Sequence, residues 1–390
     1  MKIQRTIPPA AAPISLMDFV YGLYGIVNKE TVAKLEHEIK EYFETKYVFL
    51  ASSGKAALFL ILSGLKRLSG KNKVIIPAYT CFSVPSAIRM AGLEIVPCDI
   101  RPDTLDYDFS ELKSLVDEDT LCILSTHLFG IPSDVAKIRD LCGEKGIPVV
   151  EDAAQAMGAE HENKKLGTFG DVAFFSLGRG KNITCGSGGI IITSAENIAG
   201  SIGKCCSQLE SVPTVEYLKD IMEIIFLMIF LHPSLYWFPK SLPFLKIGDT
   251  RFYWTFPVRG LTGFKAGLLY NWRKKLESFN RSRSAIADYY IRSLGLKDSM
   301  PIYAGAIAYL RFPMYLNGNQ SKDKLCESGN SLGISPMYPS PINEIQEIKE
   351  DFGNSKYACA ERIADTLVAL PTHVLLNEKD QWTISEAVRG

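Results

Sequence analysis

The sequence lacks an excess of charge of either sign: 43 lysines and arginines balance 43 aspartates and glutamates, so the formal net charge at pH 7 is zero. A neutral chain has no overall field that attracts nucleic acid, and no basic recognition segment stands out. Histidine is also scarce, and the five that occur are scattered without a metal-ligand pattern. Nucleic-acid binding and metal-dependent chemistry are therefore disfavoured.

The nine cysteines form an odd set without the paired spacing of a disulfide framework. Cys205 and Cys206 are adjacent and match no zinc-ligand pattern. This usage is typical of a protein kept reduced, and we expect a cytoplasmic location. The first residues combine early charges with prolines that interrupt any apolar core, so they do not resemble a secretory signal.

No apolar run is long enough to span a membrane, which takes about 20 residues. The most apolar stretch covers residues 224–245, and its unbroken part from Ile224 to Leu231 ends at His232 and Pro233. One interpretation is a buried helix or a subunit interface. The alternative is a hairpin at a membrane surface, which would make the protein peripheral at the inner membrane face. The scarcity of basic residues in the stretch favours the first interpretation.

Short apolar runs alternate with helical patterns over the first half of the chain and predict a mainly parallel sheet with helices on both faces. From residue 262 the pattern GFKAGLLYNWRKKLESFNRSRSAIADYYIRSL predicts one long amphipathic helix, followed by a smaller strand–helix alternation. We therefore expect an α/β protein with three parts. These are an N-terminal segment at 1–30, a large domain at 31–255 with an apolar insert at about 220–250, and a small α/β domain at 256–390.

Polar side chains follow the predicted strands at their carboxyl ends, where ligands bind in parallel sheets. The residues at or just past such ends are Thr80, His127, Asp152, Gln155 and Ser176. Asp152 closes the strand-like run IPVVED, where a carboxylate either caps a helix or needs a positive group facing it.

A second set of residues suits a phosphate and an amine nucleophile. Ser53, Gly54 and Lys55 form a turn before an apolar helix, and backbone N–H groups at a helix start bind phosphate. Ser176 offers a hydroxyl to the same phosphate. Lys181 lies in the glycine-rich stretch FFSLGRGKNITCGSGGIIIT, either as an exposed loop residue or as a nucleophile for a carbonyl. Together these groups are what pyridoxal 5'-phosphate requires.

Five segments in order resemble the DegT–StrS type nucleotide-sugar aminotransferases: ASSGKAAL, VIIPAYTCFSVPSAIRMAGLEIVPCDI, THLFGIPSDVAKIRDLCGEKGIPVVEDAAQAMGA, GTFGDVAFFSL and GKNITCGSGGIIIT. They cover roughly residues 45–195. The resemblance implies the aspartate-aminotransferase-like fold of pyridoxal-phosphate-dependent transferases and a homodimer whose sites are completed by the partner chain. It also implies transfer of an amino group, from glutamate, to a keto group of a nucleotide-linked sugar in polysaccharide or amino-sugar biosynthesis.

The same resemblance implies a role for each candidate residue. Lys181 forms the Schiff base with pyridoxal 5'-phosphate and carries the proton. Asp152 pairs with the pyridine nitrogen, and Gln155 lies against the ring or its phenolic oxygen. Ser176 binds the phosphate through its hydroxyl.

Some positions depart from the family pattern. The backbone of Gly54 and Lys55 completes the phosphate seat, but Lys55 replaces the usual threonine, so a cation stands where a hydroxyl is common. Cys81 occupies the position of the aromatic side chain that covers the cofactor ring, with Phe82 next to it. Ser187 replaces an acidic residue of the glycine-rich stretch.

Two alternatives stay open. Some relatives of this kind are pyridoxal-phosphate-dependent sugar dehydratases, but those that remove a 3-hydroxyl typically carry histidine where this chain keeps Lys181. The other alternative is a non-catalytic protein that binds pyridoxal phosphate or a membrane, and the apolar stretch at 224–245 suggests it.

Overall fold

The computed structural model describes residues 5–242, 250–296, 306–316 and 321–389. Its first half contains α1 (Leu16–Val27), α2 (Glu30–Phe43), β1 (Tyr47–Ala51), α3 (Gly54–Ser69), β2 (Lys73–Pro77), α4 (Ser83–Met90), β3 (Glu94–Cys98), α5 (Phe109–Leu115), β4 (Thr120–Thr126), α6 (Val135–Cys142), β5 (Val149–Asp152), β6 (Glu160–His161), β7 (Lys164–Lys165), β8 (Val172–Ser176) and β9 (Gly189–Thr193). The second half contains α7 (Glu196–Cys206), α8 (Thr214–Phe230), α9 (Trp237–Lys240), α10 (Gly263–Leu268), α11 (Trp272–Ser293), β10 (Phe312–Tyr315), α12 (Lys322–Ser328), α13 (Ala358–Thr366), β11 (Leu367–Leu370) and α14 (Glu378–Arg389).

A seven-stranded sheet in the order β1-β9-β8-β5-β4-β2-β3 forms the centre of the described structure. The five strands from β8 to β3 are parallel, whereas β9 is antiparallel to both of its neighbours. Strand β9 runs the other way because it follows β8 through a short loop, without the crossover helix that a parallel connection needs. The sheet is therefore mainly parallel, as the sequence predicts.

Helices cover both faces of this sheet. Two successive residues of β8 illustrate this. Phe174 belongs to the same apolar cluster as Ile61 of α3, whereas Phe175 belongs to the cluster that contains Trp272 of α11. Successive side chains of a strand point to opposite faces, so the two clusters lie on the two faces. Burial on both faces explains why these strands read as continuous apolar runs.

The prediction of one long helix from residue 263 onwards is wrong. Helix α10 ends at Leu268, and α11 begins at Trp272 after a turn in which Asn271 has non-helical φ and ψ of −122° and 36°. Helix α10 lies directly on α1: a Cβ built on Gly267 would be 2.1 Å from the Tyr21 carbonyl oxygen. This backbone contact sets the direction of α10, and the chain has to turn before α11 can cross the sheet.

The C-terminal part forms a smaller layer of its own. Strands β10 and β11 pair in an antiparallel two-stranded sheet, in register from Phe312 opposite Leu370 to Tyr315 opposite Leu367. Tyr290 of α11 packs with these strands in one apolar cluster. This arrangement agrees with a small α/β unit, while its boundary near residue 256 stays a prediction.

The apolar stretch at 224–245 is only half buried within one chain. Helices α8 and α9 contain half of it, and Ile224 and Tyr236 are buried whereas Ile225 and Ile229 are exposed. Its last residues, 243–245, lie outside the described residues. No helix in the described ranges combines the length and the hydropathy needed to cross a bilayer. Whether the exposed side contacts a second chain or a membrane surface stays a prediction.

Candidate active site

Lys181 and Asp152 approach one another at the carboxyl edge of the sheet. Asp152 is the last residue of β5 and is 6% exposed, and Lys181 lies in the loop between β8 and β9. Burial raises the pKa of Asp152, while the Ala154 N–H and the charges of Lys181 and His127 oppose that rise. Burial lowers the pKa of Lys181, and the nearby Asp152 charge opposes that change. The two charges therefore interact, and Lys181 is not a solvated loop residue.

A buried arginine of α11 holds the backbone on which Lys181 stands. Arg283 donates from Nη2 to the Lys181 carbonyl oxygen at 3.2 Å and from Nη1 to the Asn182 carbonyl oxygen at 3.0 Å. It is 1% exposed, and burial lowers its pKa to about 9. Arg283 lies about 100 positions from Lys181 within an ordinary helical pattern, so sequence reasoning missed it.

The predicted phosphate seat lies at the first turn of α3. Ser53 caps the helix by accepting a hydrogen bond from the Ala56 N–H at 3.1 Å. Within the described ranges, no hydrogen bond occupies the N–H groups of Gly54 and Lys55, as expected at the start of a helix. Ser176 closes the seat from β8: a Cβ built on Gly54 would be 2.9 Å from the Ser176 Cβ and 3.0 Å from its Oγ. Only glycine permits this approach.

The Lys55 side chain turns away from the seat. Its Nζ lies 4.1 Å from the centroid of the Tyr253 ring and 4.9 Å from that of the Phe256 ring. Burial lowers its pKa. Lys55 therefore contributes its backbone to the seat, while its ammonium group interacts with two aromatic rings.

Gln155 is fixed by two hydrogen bonds on the wall of the site. Its Nε2 donates to the Tyr338 hydroxyl at 2.8 Å, and its Oε1 accepts from the Phe129 N–H at 3.2 Å. Phe129 adopts a positive φ of 60°, which directs its N–H at the amide. Tyr338 in turn packs against Tyr79, with ring centroids 5.3 Å apart. Gln155 and Tyr338 thus form one rigid surface, and sequence reasoning missed Tyr338 within the short segment SPMYPS.

The sequence left open whether Cys81 or Phe82 covers a flat ligand. The structure places the two side chains in different surroundings. Cys81 lines the cavity that contains Lys181. Phe82 is 6% exposed and packs in the apolar cluster on the α3 side of the sheet. Cys81 therefore contacts the candidate site, and Phe82 does not line this cavity.

Some of these groups line one cavity of about 620 Å³. Its lining includes Lys181, Gln155, Cys81, Tyr338 and Arg311. Ser176 and Asp152 are not among the lining residues. Arg311 was missed, although an arginine inside the apolar run YLRFPMYL is an unusual signal for a site residue.

Ser187, the departure in the glycine-rich stretch, is tied to a buried ion pair. Lys265 of α10 donates to Ser187 Oγ at 2.9 Å and pairs with Asp220 Oδ1 of α8 at 2.8 Å. Asp220 thus provides near this loop the carboxylate that position 187 lacks. The contact also connects α8 to the loop that contains Lys181.

The residues fit pyridoxal 5'-phosphate. The open helix start at Gly54 beside the Ser176 hydroxyl suits a phosphate dianion. A buried carboxylate at Asp152, to which one backbone group of the described residues donates (the Ala154 N–H at 3.1 Å), suits a protonated ring nitrogen. The Thr80 hydroxyl at the same sheet edge is buried and lacks a hydrogen-bond partner within the described structure, which leaves it available to a ligand.

The sequence matches a family of aminotransferases and individual curated members of it. The sequence profile of the DegT/DnrJ/EryC1/StrS aminotransferase family matches residues 25–224 and 254–389. The GDP-perosamine synthase of Vibrio cholerae is 33% identical over 174 residues, which are 45% of this chain and 46% of that protein. The aligned part is thus about half the length of this curated relative.

Solved structures match almost the whole chain. Helicobacter pylori PseC, an aminotransferase involved in the biosynthesis of pseudoaminic acid, superimposes with a TM-score of 0.79 at 18% identity and 98% coverage of both chains. The Escherichia coli GDP-4-keto-6-deoxy-D-mannose-3-dehydratase with bound hydrated PLP gives a TM-score of 0.75 at 21% identity, covering 99% of this chain and 100% of that one. At these identities the likeness establishes the fold, and the predicted fold class is confirmed.

Proposed function

Because the chain belongs to the DegT/DnrJ/EryC1/StrS aminotransferase family, we propose that it is a pyridoxal-phosphate-dependent aminotransferase. It moves an amino group from glutamate to a keto group of a nucleotide-linked sugar, in polysaccharide or amino-sugar biosynthesis. The observation that carries this proposal is that Lys181 and the buried Asp152 lie close enough at the sheet edge for their charges to interact, beside an open helix start. The activities in the names of its relatives support the choice of substrate class.

When bound, pyridoxal 5'-phosphate supplies an electron sink that allows an amino group to leave one substrate and join another. Lys181 Nζ would hold the cofactor through its aldehyde carbon, and burial favours the neutral amine that such attachment requires. The same Nζ, when free, would act as the base that moves the proton at the reacting carbon of the substrate. The buried Asp152 carboxylate would face the pyridine nitrogen and keep it protonated.

The remaining candidate residues bind and orient. Ser176 Oγ and the N–H groups of Gly54 and Lys55 hold the phosphate. Gln155, fixed by Tyr338 and Phe129, forms the surface on which the ring or its phenolic oxygen rests. Cys81 takes the place of an aromatic cover.

The first experiment adds pyridoxal 5'-phosphate to purified protein and records the absorption spectrum. Wild-type protein gains a cofactor band at the edge of the visible range, whereas Lys181→Ala does not. Lys204→Ala, which changes an exposed lysine of α7, serves as the matched control and keeps the band. Absence of the band in wild-type protein, or its persistence in Lys181→Ala, contradicts the proposal.

The second experiment separates transfer from elimination. Addition of glutamate is expected to convert the bound cofactor to its amine form. The protein with this amine form is then mixed with a panel of nucleotide-linked 3- and 4-keto sugars, and we expect it to aminate one of them. Loss of a sugar hydroxyl without a new C–N bond would assign a dehydratase, the activity named for one structural relative. A loaded protein that performs neither reaction supports the non-catalytic alternative.

We also propose that the protein acts as a homodimer in the cytoplasm. Helix α1 buries its glycines and exposes seven large apolar side chains, Leu16, Met17, Val20, Leu23, Tyr24, Ile26 and Val27. Such a face favours contact with another protein surface. All nine cysteines are free thiols, which suits a reducing compartment. Sedimentation at several concentrations tests the dimer, and a concentration-independent monomer contradicts it.

A further inference from the structure

Arg311 is a cation in the cavity without an acidic partner in the described structure. Its Nη1 donates to the Met337 sulfur at 3.1 Å, and its Nε is buried without any hydrogen-bond partner among the described residues. Two other cations of the same cavity have partners: Arg179 pairs with Glu223 at 3.4 Å, and Lys240 donates to the Asn330 carbonyl oxygen. Arg311 therefore keeps donors that protein atoms do not use.

The backbone around Arg311 is held firmly in place. The Leu310 N–H donates to the Phe129 carbonyl oxygen at 3.0 Å. The Thr372 hydroxyl donates to the carbonyl oxygen of Tyr309 at 2.6 Å, with a longer contact of 3.1 Å to that of Leu310. Because Phe129 also contacts Gln155, the guanidinium is positioned by the same framework that forms the wall of the candidate site.

Protein atoms satisfy this guanidinium poorly. Arg311 is partly buried, its Nε is shielded from solvent without a partner among the described residues, and the thioether that faces Nη1 is a weak acceptor. Burial lowers the pKa of Arg311, although arginine stays charged at neutral pH. Contrast Arg283, whose donors reach backbone carbonyl oxygens. Because Arg311 lines the cavity with donors that no described oxygen atom accepts, an anionic ligand in the cavity can reach them.

We propose that Arg311 binds a two-oxygen anion of the substrates, either a carboxylate of the amino donor or a phosphate of the nucleotide-linked sugar. The inference rests on the proposed function for the identity of these substrates. Arg311 and Lys181 line the same cavity. Donor and acceptor must reach the same lysine in turn, and a planar guanidinium accepts either anion in a bidentate manner.

The test measures binding of unreactive anions rather than turnover. Protein saturated with pyridoxal 5'-phosphate, in phosphate-free buffer, is titrated calorimetrically with glutarate and, separately, with inorganic pyrophosphate. We expect Arg311→Gln to lower the affinity for the anion by about ten- to a hundred-fold, which is the range for hydrogen bonds to charged groups. Arg311→Lys keeps the charge but loses the planar, two-pronged donor group, so its affinity should lie between those of wild type and Arg311→Gln. Loss confined to glutarate assigns the donor carboxylate, and loss confined to pyrophosphate assigns the nucleotide phosphates.

Controls separate a binding role from a structural one. Arg292→Gln changes an exposed arginine of α11 and leaves anion affinity unchanged. Because Arg311 lacks an acidic partner, Arg311→Gln leaves the melting temperature of the ligand-free protein unchanged or raises it. Unchanged affinity for both anions in Arg311→Gln, or failure of wild-type protein to bind either one, overturns the inference. If glutarate binding depends on Arg311 while glutamate converts no cofactor, the anion site stands and the proposed function fails.

Discussion

At the level of single residues, Arg283 and Arg311 differ in how far protein atoms satisfy their hydrogen-bond donors. Arg283 donates to three carbonyl oxygens and to the Asn280 side chain, and its burial fixes the loop of Lys181. Arg311 has only the Met337 sulfur as a hydrogen-bond partner in the described structure. The fully buried Arg283, with its carbonyl partners, is part of the framework, whereas the partly buried Arg311 keeps donors that face the cavity and are open to a ligand.

Because Arg283 holds several backbone carbonyl oxygens, we expect its replacement by lysine to lower the stability of the protein. Arg283→Lys keeps the charge but cannot reach the carbonyl oxygens of Ala11, Lys181 and Asn182 together. We expect the free energy of unfolding to fall by about 1–3 kcal/mol, because buried acceptors lose their donor. Affinity for pyridoxal 5'-phosphate falls as well, because the Lys181 loop loosens.

Arg281→Lys, two positions away on the exposed side of α11, is the matched control and should change stability by no more than about 0.5 kcal/mol. Urea unfolding and a spectral titration with the cofactor measure the two effects. Equal stability and equal cofactor affinity of Arg283→Lys and wild type would show that the loop does not depend on the guanidinium.

How far the sequence predicts the site depends on how local its signals are. Lys181, Asp152 and Ser176 follow apolar strands closely in sequence, so the parallel-sheet pattern alone brings them to one edge. Arg283 and Arg311 approach that edge from 100 or more positions further on, through the packing of α11 and β10. Whether Cys81 or Phe82 faces the cavity depends on how the chain is oriented where it enters α4, and a pattern of residue types does not determine that orientation.

At the level of elements, glycines determine how α10 lies on α1. A Cβ built on Gly25 would be 2.1 Å from the Gly263 carbonyl oxygen, and one on Gly263 would be equally close to the Gly25 carbonyl oxygen. The two backbones therefore touch, and Tyr21 and Tyr270 stack beside them with ring centroids 3.5 Å apart. Helical periodicity predicted the apolar faces here, but it missed the turn at 269–271 because a period carries no information about what an element packs against.

This crossing predicts a sharp difference between two glycine-to-alanine changes in helices. Gly25→Ala forces a methyl group into a backbone carbonyl that cannot move without shifting α10, and we expect a loss of about 1–3 kcal/mol or more in the free energy of unfolding. Gly200→Ala in α7, where no atom lies within 4 Å of the new Cβ, should instead stabilise the protein by about 0.5–1 kcal/mol. Urea unfolding of both variants checks the pair, and a Gly25→Ala protein as stable as wild type would refute the close crossing.

For the whole molecule, the N-terminal segment connects distant parts of the chain. The Ile7 N–H donates to the Ser331 carbonyl oxygen at 2.8 Å, and Arg5 pairs with Asp380 at 2.6 Å. His373 Nε2 donates to the Pro8 carbonyl oxygen at 2.8 Å. Composition and periodicity carry no signal for these contacts, since a short proline-rich segment has no repeating apolar face. They tie residues 5–8 to the region around β11 and α14.

The link through His373 makes the stability of the protein sensitive to acid. Burial lowers the pKa of His373 from 6.5 to about 3, the charges of Arg283 and Arg311 act in the same direction, and the Pro8 carbonyl and Asp380 oppose them. Its Nδ1 accepts from the Leu375 N–H at 3.3 Å, so both ring nitrogens are occupied in the neutral form. Between these two pKa values the unfolded chain binds a proton that the folded chain excludes. The contribution of neutral His373 is therefore complete above pH 6.5 and is lost as the pH falls towards 3.

His373→Gln removes this titration while its amide can still donate to the Pro8 carbonyl oxygen. At a pH of about 7.5 the variant should be less stable than wild type by about 1–3 kcal/mol, because packing around the ring is lost. At a pH of about 5.5 the deficit should shrink by about 1.4 kcal/mol, since wild type alone loses about that much per pH unit below the ordinary pKa of histidine. Urea unfolding at the two pH values measures the difference, and the pair at higher pH is the internal control. A deficit that stays constant between the two pH values would mean that His373 does not exclude a proton in the folded state, and that the N-terminal segment is not held by a neutral imidazole.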